Sequence, residues 1–216
     1  MTLRLVVLIS GKGSNLGAIA EAIDAGRCDA KIALVVSDRP DAAGLDIARS
    51  RGIETQTLPF EKGIDREAYS AALADLVAQG APDLVVLAGF MRIVGKSFIH
   101  RFSGRMINIH PSLLPAFRGP DGVGDALEAG VKITGCTVHL VDEGVDTGRI
   151  LAQAAVPVLP DDDRASLHAR IQRAEHQLLP EVIHAIANAK MRLDGGLLSR
   201  VTIDEDACII VPRFES

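Results

Sequence analysis

Asn108 and His110 stand two residues apart in the run Met106-Ile107-Asn108-Ile109-His110-Pro111-Ser112-Leu113-Leu114-Pro115. Period-two geometry puts that amide and imidazole on one face of a strand. Pro111 has no N–H to give to a ladder, so the strand is expected to stop at His110. Such a strand delivers two polar side chains to the carboxyl edge of a sheet, which is where open α/β sheets hold ligands. A packed core histidine beside a turn asparagine explains the stretch equally well, and the surrounding elements have to decide.

Two other stretches lie at the same kind of edge. Leu5 to Ile9 is a continuous aliphatic run, the mark of a parallel strand covered on both faces. Ser10-Gly11-Lys12-Gly13-Ser14-Asn15 follows it, and a helical pattern through Leu16, Ile19, Ala20 and Ile23 closes near Gly26. Helix-start N–H groups favour an anion, so a phosphate or carboxylate is expected at Gly13, Ser14 and Asn15, ahead of a tight turn with an Asn cap. The dinucleotide fingerprint needs a third glycine where Leu16 stands, and the phosphate-loop spacing is absent. A nucleotide-dependent oxidoreductase, suggested by Gly11, Gly13 and Asp38, is therefore disfavoured. Asp38 follows the second strand where a ribose-binding acid would sit, but an acid in the Asp-Arg-Pro-Asp turn is the preferred reading. The second stretch, Gly89-Phe90-Met91-Arg92-Ile93-Val94, would suit a flat aromatic ligand carrying acid groups.

The elements that must position these groups alternate in βα fashion. Strands are expected at 31–37, 54–58, 84–88, 133–141 and 150–158, and helices at 43–51, 65–79, 95–101, 125–130 and 164–189. The helix at 65–79 is expected to bury Ala68, Ala72, Leu73, Leu76 and Val77. Asp142 to Gly148 forms an acidic loop that would join an antiparallel pair, and Asp161, Asp162 and Asp163 read as a solvated helix start. Pro180 is expected to kink the long helix. The expected fold is α/β: a single-domain, Rossmann-like, mostly parallel twisted sheet flanked by helices, ending in a long C-terminal helix. Residues 1–190 form the domain, and 191–216 a tail packed on it, with a possible strand at 207–211.

The balance of 48% apolar and 24% charged residues is that of an ordinary globular chain of 216 residues. The formal net charge of −5 argues against a nucleic-acid surface. Three widely spaced cysteines, with no Cys-x-x-Cys, suggest neither a zinc ribbon nor a redox pair and fit a reducing compartment. No stretch approaches a membrane span, and a soluble, cytoplasmic protein is expected.

Four motifs occur in one order: Ser10 to Asn15, Gly89 to Arg92, Asn108 to Pro115, and Gly135 to His139 followed by Asp146-Thr147-Gly148. Together they make the chain resemble the folate-dependent phosphoribosylglycinamide formyltransferase family over roughly residues 3 to 190. The resemblance implies transfer of a formyl group from 10-formyltetrahydrofolate to the amine of 5′-phosphoribosylglycinamide, in purine synthesis. It places the acid–base histidine at His110, the amide at Asn108 and the carboxylate at Asp146. It puts the acceptor's phosphate at Gly13, Ser14 and Asn15, with Glu175 touching the acceptor. The folate pocket falls on Met91, Arg92, Ile93 and Val94, reached also by Asn108, with Arg66 at the pterin–glutamate end. Partners are the two small molecules, with no nucleic acid, membrane or metal, and a homodimer is left open. Where the family usually carries Pro-Gly-x-His, this chain reads Arg118-Gly119-Pro120-Asp121.

In such a transfer the amine attacks the formyl carbon and an oxyanion develops. Asn108 would donate to that oxygen. His110 would donate to it or help carry the proton from amine to departing folate nitrogen. Asp146 would stabilise the imidazolium, or hold a shuttling water. His139 is expected either to line the site or to support it structurally.

Overall fold

A computed structural model of the chain describes residues 2–61, 63–189, 191 and 193. Thirteen elements follow in order: β1 (Leu3–Ile9), α1 (Ser14–Asp24), β2 (Ala30–Ser37), α2 (Gly44–Ser50), β3 (Thr55–Thr57), α3 (Arg66–Gln79), β4 (Leu84–Leu87), α4 (Lys96–Arg101), β5 (Met106–His110), α5 (Gly122–Glu128), β6 (Ile133–Leu140), β7 (Ile150–Pro157) and α6 (Arg164–Ala187). The strands form one sheet in the order β3-β2-β1-β4-β5-β6-β7. The first five are parallel, and β6 and β7 are antiparallel. The chain reverses its winding between β1 and β4, and the loops after these strands open the crevice where such sheets hold ligands.

Strand alternation sorts the core into two layers. Leu5, Val7 and Ile9 of β1 and Leu84 and Val86 of β4 face the layer that α1, α2 and α6 close. Val6, Leu8, Val85 and Leu87 face the layer closed by α3 and α4. Both faces are covered, which is why these strands read as unbroken aliphatic runs. The same parity matters on β5 and β6. Ile107, Ile109, Cys136 and Val138 belong to the first layer, so Asn108, His110, Thr137 and His139 line the opposite face. The antiparallel register sets Asn108 against His139 and His110 against Thr137.

Two local expectations need correction, and one disfavoured alternative, an Asn cap on α1, is excluded. On α3 the buried residues are Tyr69, Ser70, Leu73, Ala74 and Val77, while Ala68 and Ala72 are exposed. Alanine is apolar enough to suggest a face but too small to choose one. Tyr69 chooses it, with its ring edge-on to Phe60 and its hydroxyl donating to the Leu58 carbonyl. At the start of α6, Asp163 is the N-cap, in a reciprocal capping box with Ser166. Asp162 is not solvated: its side chain is 3% exposed and meets both terminal nitrogens of Arg170, at 2.5 and 3.0 Å. The Arg170 hydrogen bonds hold its carboxyl well below the usual range. Finally, Gly13 rather than an asparagine precedes α1, with no side-chain cap. Pro180 lies buried within a helix that runs continuously from Arg164 to Ala187.

Met191 and Leu193 pack against the first core layer. Cys208 and the strand expected at 207–211 lie outside the described residues. Among the described residues no helix is long and apolar enough to cross a membrane. Burial, with Asp29 nearby, pushes the Cys28 thiol up to about 11, and burial, with Glu175 nearby, pushes Cys136 up to about 12. Since the thiolate is the reactive form, neither cysteine is expected to be alkylated near neutral pH until the chain unfolds. Peptide mapping after iodoacetamide treatment checks this, and rapid labelling of native Cys136 would contradict it.

Candidate active site

The Asp146 carboxylate gathers the polar groups of β5, β6 and the loops beside them. Its Oδ2 accepts the Gly119 N–H at 3.0 Å and lies 3.4 Å from His110 Nδ1. Its Oδ1 faces Asn108 Nδ2 at 3.4 Å and His139 Nε2 at 3.5 Å. Burial works to raise the Asp146 carboxyl. The hydrogen bond from the His139 ring, the Gly119 N–H and the two histidine charges outweigh it and hold the group below the ordinary carboxylate value. Asp146 therefore stays ionised across the neutral range.

Each ring is fixed by a carbonyl on its far side. His110 is 5% exposed, and its Nε2–H donates to the Phe117 carbonyl at 2.8 Å. With one nitrogen on that carbonyl and the other facing a carboxylate, the doubly protonated ring satisfies both neighbours. His139 is 2% exposed, and its Nδ1–H donates to the Leu140 carbonyl at 2.8 Å. That leaves Nε2, 3.2 Å from Asn108 Nδ2, to accept from the amide when the ring is neutral.

Residues 117–119 reach the cluster only through the main chain, by the Phe117 carbonyl and the Gly119 N–H. Phe117 and Asp146 both hold positive φ, 54° and 51°, a conformation that non-glycine residues seldom adopt. Gly119 has φ 101°, which only glycine takes without strain. Asp121 caps α5 by accepting the Gly124 N–H at 3.0 Å, and pairs with Arg164 at the start of α6.

A cavity of about 120 Å³ opens beside the cluster, lined by Asn108, His139 and Asp146, by Leu87, Phe90 and the 92–94 segment, and by the acidic loop. Arg92 stands on its wall. The Arg92 Nε donates to Asp38 Oδ2 at 2.5 Å, and the guanidinium lies 4.6 Å from the centre of the Phe60 ring. Asp38 stands in the bend after β2, as the turn reading has it, but its side chain is buried against Arg92 and is not open to a ribose. Val94 is buried, while Ile93 is 63% and Met91 74% exposed. Met91 is not part of the cavity lining, and its N–H donates to Ser10 Oγ at 2.8 Å, tying this loop to the turn after β1. Arg66 is exposed at the start of α3 and does not line the cavity.

On the other side of that turn, Asn15 Nδ2 donates to Glu175 Oε2 at 2.9 Å, across 160 residues of chain. Both side chains are buried, and among the described residues Asn15 Oδ1 has no partner. Gly13, at φ 72°, packs directly on Gly44: a Cβ built there would lie 2.5 Å from Gly44 Cα. Uncapped helix-start N–H groups beside a free carbonyl oxygen and a carboxylate offer both donors and acceptors to a polar ligand. Among the described residues no group of three or more His, Cys, Asp or Glu is arranged to hold a metal ion.

This arrangement has relatives. The pattern of a family described as formyl transferase matches residues 3–183. The chain is 48% identical over 192 residues to the phosphoribosylglycinamide formyltransferase of Mycobacterium tuberculosis, covering 89% of this chain and 88% of that protein. The chain belongs to the formyl transferase family. A solved structure of glycinamide ribonucleotide transformylase 1 from Symbiobacterium toebii superposes with a TM-score of 0.85 at 46% identity, covering 88% of this chain and 89% of that one. The chain is also 46% identical to the Drosophila melanogaster trifunctional purine biosynthetic protein adenosine-3, of which it spans 14%.

Within this formyl transferase, sequence reasoning left two features open or unseen. His139 had two readings, and strand parity together with the register opposite Asn108 places it in the cluster. Phe117 and Gly119 act through main-chain atoms, which leave no side-chain signal to find.

Proposed function

We propose that the protein transfers a formyl group from 10-formyltetrahydrofolate to the amine of 5′-phosphoribosylglycinamide, giving formylglycinamide ribonucleotide and tetrahydrofolate, with residues 1–190 as the catalytic domain. The observation that carries this reading is the convergence of Asn108, His110 and His139 on the Asp146 carboxylate at the edge of a cavity walled by apolar groups and one arginine.

The folate ring system occupies the cavity between the 92–94 segment and the acidic loop, and Arg92 meets its acidic end. The acceptor lies toward Gly13, Ser14, Asn15 and Glu175, with its phosphate on the first turn of α1. As the amine attacks the formyl carbon, the developing oxyanion takes an N–H from Asn108. Asp146, which lines the cavity, receives the proton that the amine sheds, directly or through a water. The His110 imidazolium behind it steadies the developing oxyanion, and the proton taken by Asp146 passes on to the departing folate nitrogen, so carboxylate and imidazolium end as they began. Asn108→Ala is expected to lower kcat by about 3 kcal/mol, roughly 10²-fold, since it removes one oxyanion donor. Steady-state rates at saturating substrates check this, and near-wild-type kcat would remove Asn108 from that role.

The deciding test is to incubate the protein with 10-formyltetrahydrofolate, with and without 5′-phosphoribosylglycinamide, and to follow the formylfolate. Loss only with the acceptor is expected. Loss without it would make the protein a hydrolase, and no loss in either arm would overturn the reading.

A further inference from the structure

Asp38 is out of place for a surface turn. Its side chain is fully buried, and among the described residues its Oδ1 has no hydrogen-bond partner and its Oδ2 is spent on a single group, Arg92 Nε. A buried carboxylate oxygen with no donor is a cost to folding, so packing stability alone does not account for the residue. What the pair achieves is orientation. Nε points inward to Asp38, and Phe60 lies against the guanidinium plane at 4.6 Å. The Phe60 ring is itself braced edge-on by Tyr69, with centroids 4.9 Å apart. Arg92 remains 35% exposed on the cavity wall, and among the described residues its Nη1 and Nη2 carry no hydrogen bond. A guanidinium held by Nε and one face presents its outer fork, the part whose geometry matches a carboxylate.

We propose that Asp38, seconded by Phe60, is a positioning residue for donor recognition: it aims the free end of Arg92 at a carboxylate of the donor's glutamate tail. This rests on the formyl-transfer reading above. Asp38 does not touch the donor. It converts a flexible cation into a fixed one, so less side-chain freedom is lost when the donor binds. The first acidic position after β2, where a nucleotide-binding sheet would hold a ribose, here holds an arginine.

The test compares wild type, Asp38→Asn and Phe60→Leu with two donors: 10-formyltetrahydrofolate and the same compound lacking the glutamate. With the complete donor, Asp38→Asn is expected to raise the donor KM about tenfold, the low end for loss of a hydrogen bond to a charged group. Phe60→Leu is expected to raise it about threefold, as for a cation–π contact near the surface. The acceptor KM and kcat should stay within about twofold of wild type, and with the tail-less donor all three proteins should have the same donor KM. An unchanged donor KM in both variants, or an equal rise for the tail-less donor, overturns the proposal. If Asp38→Asn does not fold, Phe60→Leu carries the same comparison. If the wild type shows no acceptor-dependent turnover, the function reading fails instead. Asp38 is then judged by equilibrium binding of tetrahydrofolate with and without its glutamate, where loss of discrimination in Asp38→Asn upholds the proposal and retained discrimination overturns it.

Discussion

His110→Ala is expected to lower kcat by about 10² to 10⁴, the range for a positioned acid–base group, with the fold retained. The ring is nearly buried and its two nitrogens are taken by the Phe117 carbonyl and the Asp146 carboxylate. Its removal leaves the carboxylate with one imidazole neighbour fewer and the Phe117 carbonyl without its donor. In the proposed arrangement both substrates sit elsewhere, along the first turn of α1 and in the cavity that His110 does not line. The loss should therefore fall on kcat with little change in either KM, the pattern of a group that acts in the transition state. Stopped-flow or steady-state rates with circular dichroism as a fold control check this. A variant retaining more than a tenth of wild-type kcat would remove His110 from that role.

Asp146→Asn is expected to lose about 10⁴ in kcat, comparable to removal of the orienting carboxylate in a catalytic triad. Asparagine is the informative replacement because φ is 51° at this position, and asparagine is among the few residues that accept a left-handed conformation readily. Its side-chain oxygen can still take the Gly119 N–H, so the loop should hold. What disappears is the charge that His110 and His139 face. Since the native carboxyl lies below its ordinary value of 3.8, any stability that this charge contributes is present above that value and is lost only as the pH falls through the lower native one. The contribution of the Asp146 charge itself to the unfolding free energy should thus persist at neutral pH and disappear only in strong acid. An acid limb in the wild-type rate profile between pH ~5 and ~6 belongs to another group, since Asp146 titrates below that. Urea unfolding across pH, with kcat at each pH, measures both quantities. Wild-type activity in the variant would overturn the central place given to this carboxylate.

How much of this was legible depended on what carried the information. The buried strands announced themselves by aliphatic runs, and the alternation in Met106 to His110 put Asn108 and His110 on one face before any fold was known. Asn15 was legible from the helix start as part of an anion seat, whereas Glu175, 160 residues away, entered only through family resemblance, because no local pattern links a helix start to a distant helix. Strand register was not legible, so His139 stayed undecided until β6 was seen to run antiparallel to β5. Asp38 was read as a turn residue because its neighbours are turn formers. Its partner Arg92 lies 54 positions away, and a long-range ion pair has no sequence period. Arg66, which the resemblance placed near the folate tail, stands on the surface outside the cavity lining.

The Phe117–Gly119 segment touches the reacting cluster only through peptide groups. A contact made by the backbone is indifferent to the side chains that decorate it. Arg118 and Asp121 depart from the pattern that the resemblance led one to expect, yet the carbonyl held by His110 and the N–H given to Asp146 are supplied whatever those residues are. What the cluster needs from this segment is therefore its chain path rather than its side-chain chemistry, and that path requires one identity, the glycine at 119 whose φ no other residue takes without strain. Such a segment can drift in charge and shape between lineages while the proton machinery beneath it stays the same. It is a place where a conserved reaction can acquire a new outer surface.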